Sequence, residues 1–178
     1  MPNIEISDAD FLRLQAIAVP LVDTPASVVS GLLDMHESQT IGGEKPKNVQ
    51  VYGFDSPPPL VHVKFISGMI GLHQPEKQNW DSMVNLSVKL THKQEKSVER
   101  LAKILDLNIT DGFKDDEGYK YLPDLKLSYQ GVSAKHAAKV IGNAARFLNE
   151  DARVDFVWRQ KDGAFAPGQV AALSYEIS

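Results

Sequence analysis

The 178-residue chain contains no cysteine, which removes disulfides, thiolate nucleophiles and cysteine-ligated metals together. It has no apolar run approaching the roughly 18 residues that a membrane span needs. Its start, Met1-Pro2-Asn3-Ile4-Glu5, lacks a basic stretch followed by an apolar core and does not read as a secretory signal, so a cytoplasmic location is the expectation. Positive charge is not in excess either: the net charge is −4, which on average argues against nucleic acid as a partner. A Gly-rich phosphate loop, a nucleophile elbow and paired histidines at metal spacing are all missing. His62, His73, His92 and His136 are scattered and read as surface or core residues. No catalytic constellation, metal site or cofactor is expected.

What is there has the composition of an ordinary soluble protein, 43% hydrophobic and 24% charged. The acidity is local. Residues 1–48 hold seven acids (Glu5, Asp8, Asp10, Asp23, Asp34, Glu37 and Glu44) against three bases (Arg13, Lys45 and Lys47). Taken from totals of 23 acids and 19 bases, this leaves sixteen of each sign in residues 49–178.

Residues 1–38 read as a strand, a helix, a turn and a second helix. Ile4 and Ile6 alternate with Asn3, Glu5 and Ser7, the period-two signal of a half-buried strand. Ser7 with Asp10 resembles a helix cap, and Phe11, Leu14, Ile17 and Ala18 mark one helical face before Pro20 stops it. Thr24 and Pro25 start a second helix with Val28, Val29, Leu32, Leu33 and Met35 as its apolar stripe. A unit this small cannot bury its own apolar side chains. Pairing with a second copy through Ile4, Ile6, Phe11, Leu14, Val29, Leu32 and Leu33 is expected; the alternative is a helical hairpin packed on the main domain.

Strand–helix–helix is the order of a ribbon-helix-helix module, whose shared antiparallel ribbon can enter the DNA major groove. Here the outward residues would be Asn3, Glu5 and Ser7, and Glu5, doubled by symmetry, would meet phosphate of the same sign. Assembly suits this module better than DNA reading. The segments Ile4-Glu5-Ile6-Ser7-Asp8 and Thr24-Pro25-Ala26-Ser27-Val28-Val29, leading to Leu32-Leu33, resemble the N-terminal domain of the SeqA replication-sequestration family. That resemblance implies a ribbon-helix-helix topology used for oligomerisation, with DNA binding left to a separate C-terminal domain behind a flexible linker. The remainder of the chain does not resemble that family's DNA-binding domain, so its preference for hemimethylated sites does not follow.

Residues 39–59 read as a linker, with Gly42-Gly43 for flexibility and Pro57-Pro58-Pro59 as an extended spacer. Residues 60–178 then predict a two-layer α+β domain of about four strands with two or three helices on one side. Strands are expected at residues 61–66, 125–129, 154–158 and 171–177. A long helical pattern runs from Trp80 to Leu105 with a polar waist at residues 91–95, and a second helix starts after a Ser133 cap. Residues 106–123 read as a polar connection. Trp80 and Trp158 read as core aromatics.

The main candidate site is a row of cations, Lys89, Lys93, Lys96, Arg100 and Lys103. On one continuous helix their spacing puts them on a single stripe, able to track a phosphate backbone; an ordinary solvated face is the alternative. A second group is Lys135, Lys139 and Arg146, with His136 and Asn143 nearby and Gly142 leaving room for close approach. Lys120 stands between Tyr119 and Tyr121, interleaving cation and aromatic as nucleic-acid surfaces often do. Asp124-Leu125-Lys126, with Asp111, Asp115 and Asp116 upstream, is a weak acid-x-Lys pattern of the kind Mg²⁺-dependent nucleases use.

These features favour a non-enzymatic DNA-binding protein that self-associates: a regulator, a sequestering protein or the recognition partner of a restriction or defence system. Linked copies would amplify weak single-site affinity. An adaptor or antitoxin-like regulator that binds another protein is the alternative, with a nuclease third.

Overall fold

The computed structural model describes residues 49–177. The N-terminal module, its assembly residues Ile4, Ile6, Phe11, Leu14, Val29, Leu32 and Leu33, and the first part of the linker therefore lie outside the described residues. The described region is a mixed α+β domain with three helices and two sheets.

Strand β1 (Gln50–Gly53) is followed by β2 (Val63–Ile70), helix α1 (Trp80–Gln94) and helix α2 (Val98–Leu105). Then come β3 (Ile109–Asp111), β4 (Tyr119–Leu122), β5 (Leu127–Gln130), helix α3 (Ala134–Leu148), β6 (Ala152–Trp158) and β7 (Val170–Tyr175). The larger sheet has the order β1-β7-β6-β2. Its β6–β7 hairpin is antiparallel, β2 joins β6 antiparallel, and β1 joins β7 in parallel. The smaller sheet, β3-β5-β4, is antiparallel throughout.

Each helix ends where its sequence says it must. Asn79 caps α1 by accepting a hydrogen bond from the Ser82 amide at 2.8 Å, and Ser97 and Ser133 do the same for α2 and α3. Helices α2 and α3 close on Asp106 and Asn149 in the left-handed conformation, at φ 53° in both. Short polar side chains tolerate that region better than most. The polar waist does divide the long helical pattern: Glu95 is extended, and Ser97 opens a new helix.

Alternation along β6 puts Ala152, Val154, Phe156 and Trp158 in the core, with Phe65 and Ile70 of β2 and Leu173 of β7 on the same side. Met83, Val84 and Val88 of α1 and Ala137, Ile141 and Ala144 of α3 complete that core. Trp80 of α1 binds the helical layer to the sheet, meeting Phe65 of β2 edge-on at 5.2 Å and Phe156 of β6 at 6.4 Å between ring centroids. Phe156 and Trp158 meet edge-on at 5.0 Å along β6 itself. Both tryptophans are thus structural. The alternate positions of β6 form a half-buried face on which Asp155 accepts hydrogen bonds from Ser67 and Arg153.

Two differences from the sequence reading stand out. Residues 50–59, read as the second half of the linker, lie within the domain. Residues Gln50–Gly53 pair with Ala171–Ser174, Phe54 and Leu60 are buried, and the Trp158 indole donates to the Pro59 carbonyl at 2.9 Å. The triple proline is the β1–β2 connection. The polar connection at residues 106–123 contains two strands, and with β5 they build the unexpected second sheet.

Gly142 has its own role in this packing. A Cβ there would stand 2.6 Å from the Phe54 Cβ, so α3 and the chain after β1 approach too closely for any side chain. The room it leaves is taken by this chain's own Phe54. Gly142→Val should cost about 1–3 kcal/mol through overpacking, read from the denaturant midpoint; an unchanged midpoint would refute this contact.

Candidate functional site

The described structure interrupts the first cationic row. Lys89 and Lys93 lie on α1, Lys96 in the connection, and Arg100 and Lys103 on α2. With Glu95 in an extended conformation, the helical repeat that would align all five is broken. Acids outside the row also hold most of it. Lys89 pairs with Asp124 at 3.2 Å, Arg100 with Glu95 at 3.7 Å and Lys103 with Glu99 at 2.7 Å. Lys93 and Lys96 have no ion-pair partner among the described residues. Lys96 adds to the burial that holds the His92 imidazole below its ordinary pKa, burial being the larger cause.

Lys120 is not in a loop. It lies on β4 and faces α1, where it pairs with Asp81, while Tyr119 and Tyr121 project from the other face of that strand. Tyr129, opposite Lys120 on β5, also donates to Asp81 at 3.4 Å. Burial first, and the Asp81 charge second, push the Tyr129 phenol well above its usual range.

The cations of α3 converge more than those of α1 and α2. Lys135, His136, Lys139 and Arg146 line a cleft of about 400 Å³ together with Ser133, Asn143, Phe54 and Asp55. Lys139 Nζ lies 2.7 Å from Asp106 Oδ2. Arg146 Nη2 donates to Asn143 Oδ1 at 2.9 Å, and its Nη1 stands 2.8 Å from Asp55 Oδ1 without hydrogen-bond alignment. Lys135, on the first turn of α3, has no ion-pair partner among the described residues. The His136 ring is 2.6 Å from the Asp106 carbonyl oxygen.

A second, more open groove shares Asp106 and His136 with the first and continues past Ala102 and Lys103 of α2 to β3. The two clefts adjoin, so Lys103 joins Lys135, His136, Lys139 and Arg146 along the seam between α2 and α3. Sequence spacing grouped Lys135, Lys139 and Arg146 with His136 and Asn143 but gave no hint that Lys103 joins them, nor of Asp55 and Asp106 as counter-charges. Both acids sit in turns, and only the fold brings them to α3.

The acid-x-Lys pattern lacks nuclease geometry. Asp124 and Lys126 occupy the β4–β5 turn, not a strand start; Asp124 is held by Lys89, and Lys126 is left-handed at φ 54°. Among the described residues, no three His, Asp or Glu side chains gather as a metal site.

Comparison with protein-family models, curated proteins and solved structures returns no match. Function must therefore be argued from the clefts themselves.

Asp106 gives them a titratable marker. The Lys139 hydrogen bond, and then its charge, hold the Asp106 carboxyl below its ordinary value. A lowered native pKa means that the pairing is complete above the unfolded-state value and is lost as pH falls through the native one. In a ¹³C NMR titration, Lys139→Ala should move the Asp106 midpoint upward. An unmoved midpoint would place Lys139 elsewhere in solution.

Proposed function

We propose that this chain is a non-enzymatic DNA-binding protein whose contacts to phosphate come from the α2–α3 seam and not from a continuous α1–α2 stripe. The supporting observation is the convergence of Lys103, Lys135, His136, Lys139 and Arg146 on two adjoining clefts. Phosphate contacts need several cations held at fixed spacing on a rigid element, and α3 supplies that. The acids already present, Asp55 and Asp106, hold Arg146 and Lys139 in place. The Lys139–Asp106 pair is exposed on both sides, and such pairs are worth about 0–1 kcal/mol, so phosphate can replace Asp106 at little cost.

The acidic N-terminal module has a different task in this reading: it dimerises or multimerises the chain, as its resemblance to the SeqA oligomerisation domain implies. Weak single-domain affinity then becomes useful by linkage. A regulator, a sequestering protein or the recognition partner of a defence system fits that arrangement.

Two measurements test these assignments. In a mobility-shift assay with plasmid fragments at low salt, Lys135→Glu/Lys139→Glu should abolish the shift, and the corresponding alanine pair should lower the salt slope by roughly one per lost phosphate contact. Lys93→Glu/Lys96→Glu should have a smaller effect; the reverse ranking would return the site to α1. Removing residues 1–48 should reduce the oligomer to a monomer in light scattering and weaken DNA binding. A truncated chain that remains dimeric would refute the assembly role.

A further inference from the structure

The outer face of the small sheet, apart from the α3 clefts, presents an aromatic surface. Register places Tyr119 opposite Gln130 and Tyr121 opposite Ser128, on the face away from the buried Leu122 and Leu127. Residues 112–114 cross this face. The loop is pinned by Ser128, a fully buried polar residue. The Ser128 hydroxyl donates to the Gly112 carbonyl at 2.9 Å and accepts from the Lys114 amide at 2.9 Å, while the Gly112 amide bonds to the Lys126 carbonyl at 2.8 Å.

The residue those bonds present is Phe113. It is 68% exposed, and its ring meets Tyr121 edge-on at 5.2 Å. An aromatic left this open by an anchored backbone is not there to fill the core. Rigid exposed aromatics of this kind are the usual anchors of protein–protein contacts.

The charge around it points to the partner. Residues 111–126 carry Asp111, Asp115, Asp116, Glu117 and Asp124 against Lys114, Lys120 and Lys126. Lys120 turns to the opposite face to meet Asp81, and Asp124 pairs with Lys89. Asp111 and Asp115 have no ion-pair partner among the described residues. Lys114 shows how the surface receives a cation: its ammonium sits 4.2 Å from the Tyr119 ring centroid, 2.7 Å from Glu117 and 3.7 Å from Asp116. Ring faces and carboxylates both favour positive charge, and nucleic acid would be repelled here.

We propose that the Phe113–Tyr121 surface docks a basic segment of a protein partner, with an apolar side chain against Phe113 and arginine or lysine side chains among Asp111, Asp115 and Asp116. This assignment does not depend on DNA binding at α3.

The test uses the full chain and a fluorescein-labelled peptide of alternating arginine and leucine, followed by fluorescence anisotropy. Saturable binding is expected, weakened about tenfold by Phe113→Ala, retained in Phe113→Tyr, and weakened with a flatter salt dependence in Asp115→Asn/Asp116→Asn. The Lys135→Glu/Lys139→Glu variant should bind no more weakly than the parent chain. Phe113 is too exposed to matter for folding, so thermal midpoints should match across the Phe113 variants. Affinity unchanged by Phe113→Ala would reduce the effect to general charge attraction and overturn the proposal. Absence of saturable binding, or equal affinity for a glutamate–leucine peptide, would overturn it as well.

Discussion

Everything in the described domain rests on how closely α3 can be approached. The helix packs against α1 and α2, meets β6 and β7 of the large sheet, and takes Phe54 against Gly142. Its inward positions are Ala137, Ala138, Val140, Ile141, Gly142, Ala144 and Ala145, all buried. Larger residues there would hold the neighbours apart and leave gaps, since interiors are packed to near-crystalline density. Small inward residues therefore fix the position of α3, and with it the outward positions Lys135, Lys139 and Arg146. The cleft borders that close packing, with Phe54 forming part of its lining.

Close packing also explains the placement of the counter-charges. Asp55 follows Phe54 directly, so seating Phe54 on Gly142 brings that acid to Arg146. Asp106 closes α2 in the left-handed conformation, and the packing of α2 on α3 brings it to Lys139 and His136. Neither contact is local in sequence. The neutral total of residues 49–178 conceals an uneven surface, with cations gathered along α3 and acids around Phe113.

Elements with a strong local signal were legible in the sequence. The cap at Ser133, the apolar spacing of α3, the division of the long helical pattern and the alternation in β6 all depend on near neighbours. β1 was not legible. Its four residues follow a Gly- and Lys-rich stretch and precede three prolines, and what makes them a strand is parallel pairing with β7 far along the chain. Strands β3 and β4 are three and four residues long, too short for a period-two pattern to emerge from a polar loop. The row from Lys89 to Lys103 failed for a related reason: spacing predicts a stripe only while one helix continues, and the waist that revealed two helices also broke the row.

The fate of the α3 cations depends on how firmly their present partners hold them. The Lys139 and Asp106 side chains are 60% and 54% exposed, so water already competes for both and screening keeps the pair weak. An incoming phosphate has only to match a well-hydrated carboxylate. The Arg146 side chain is 34% exposed, with one nitrogen buried and Asn143 on another; exchanging its partner would disturb the seat of Phe54. The two cations are thus unequal in kind. In the proposed DNA contact, Lys139 and Lys135, which has no ion-pair partner among the described residues, are the exchangeable cations, whereas Arg146 belongs first to the packing that positions them.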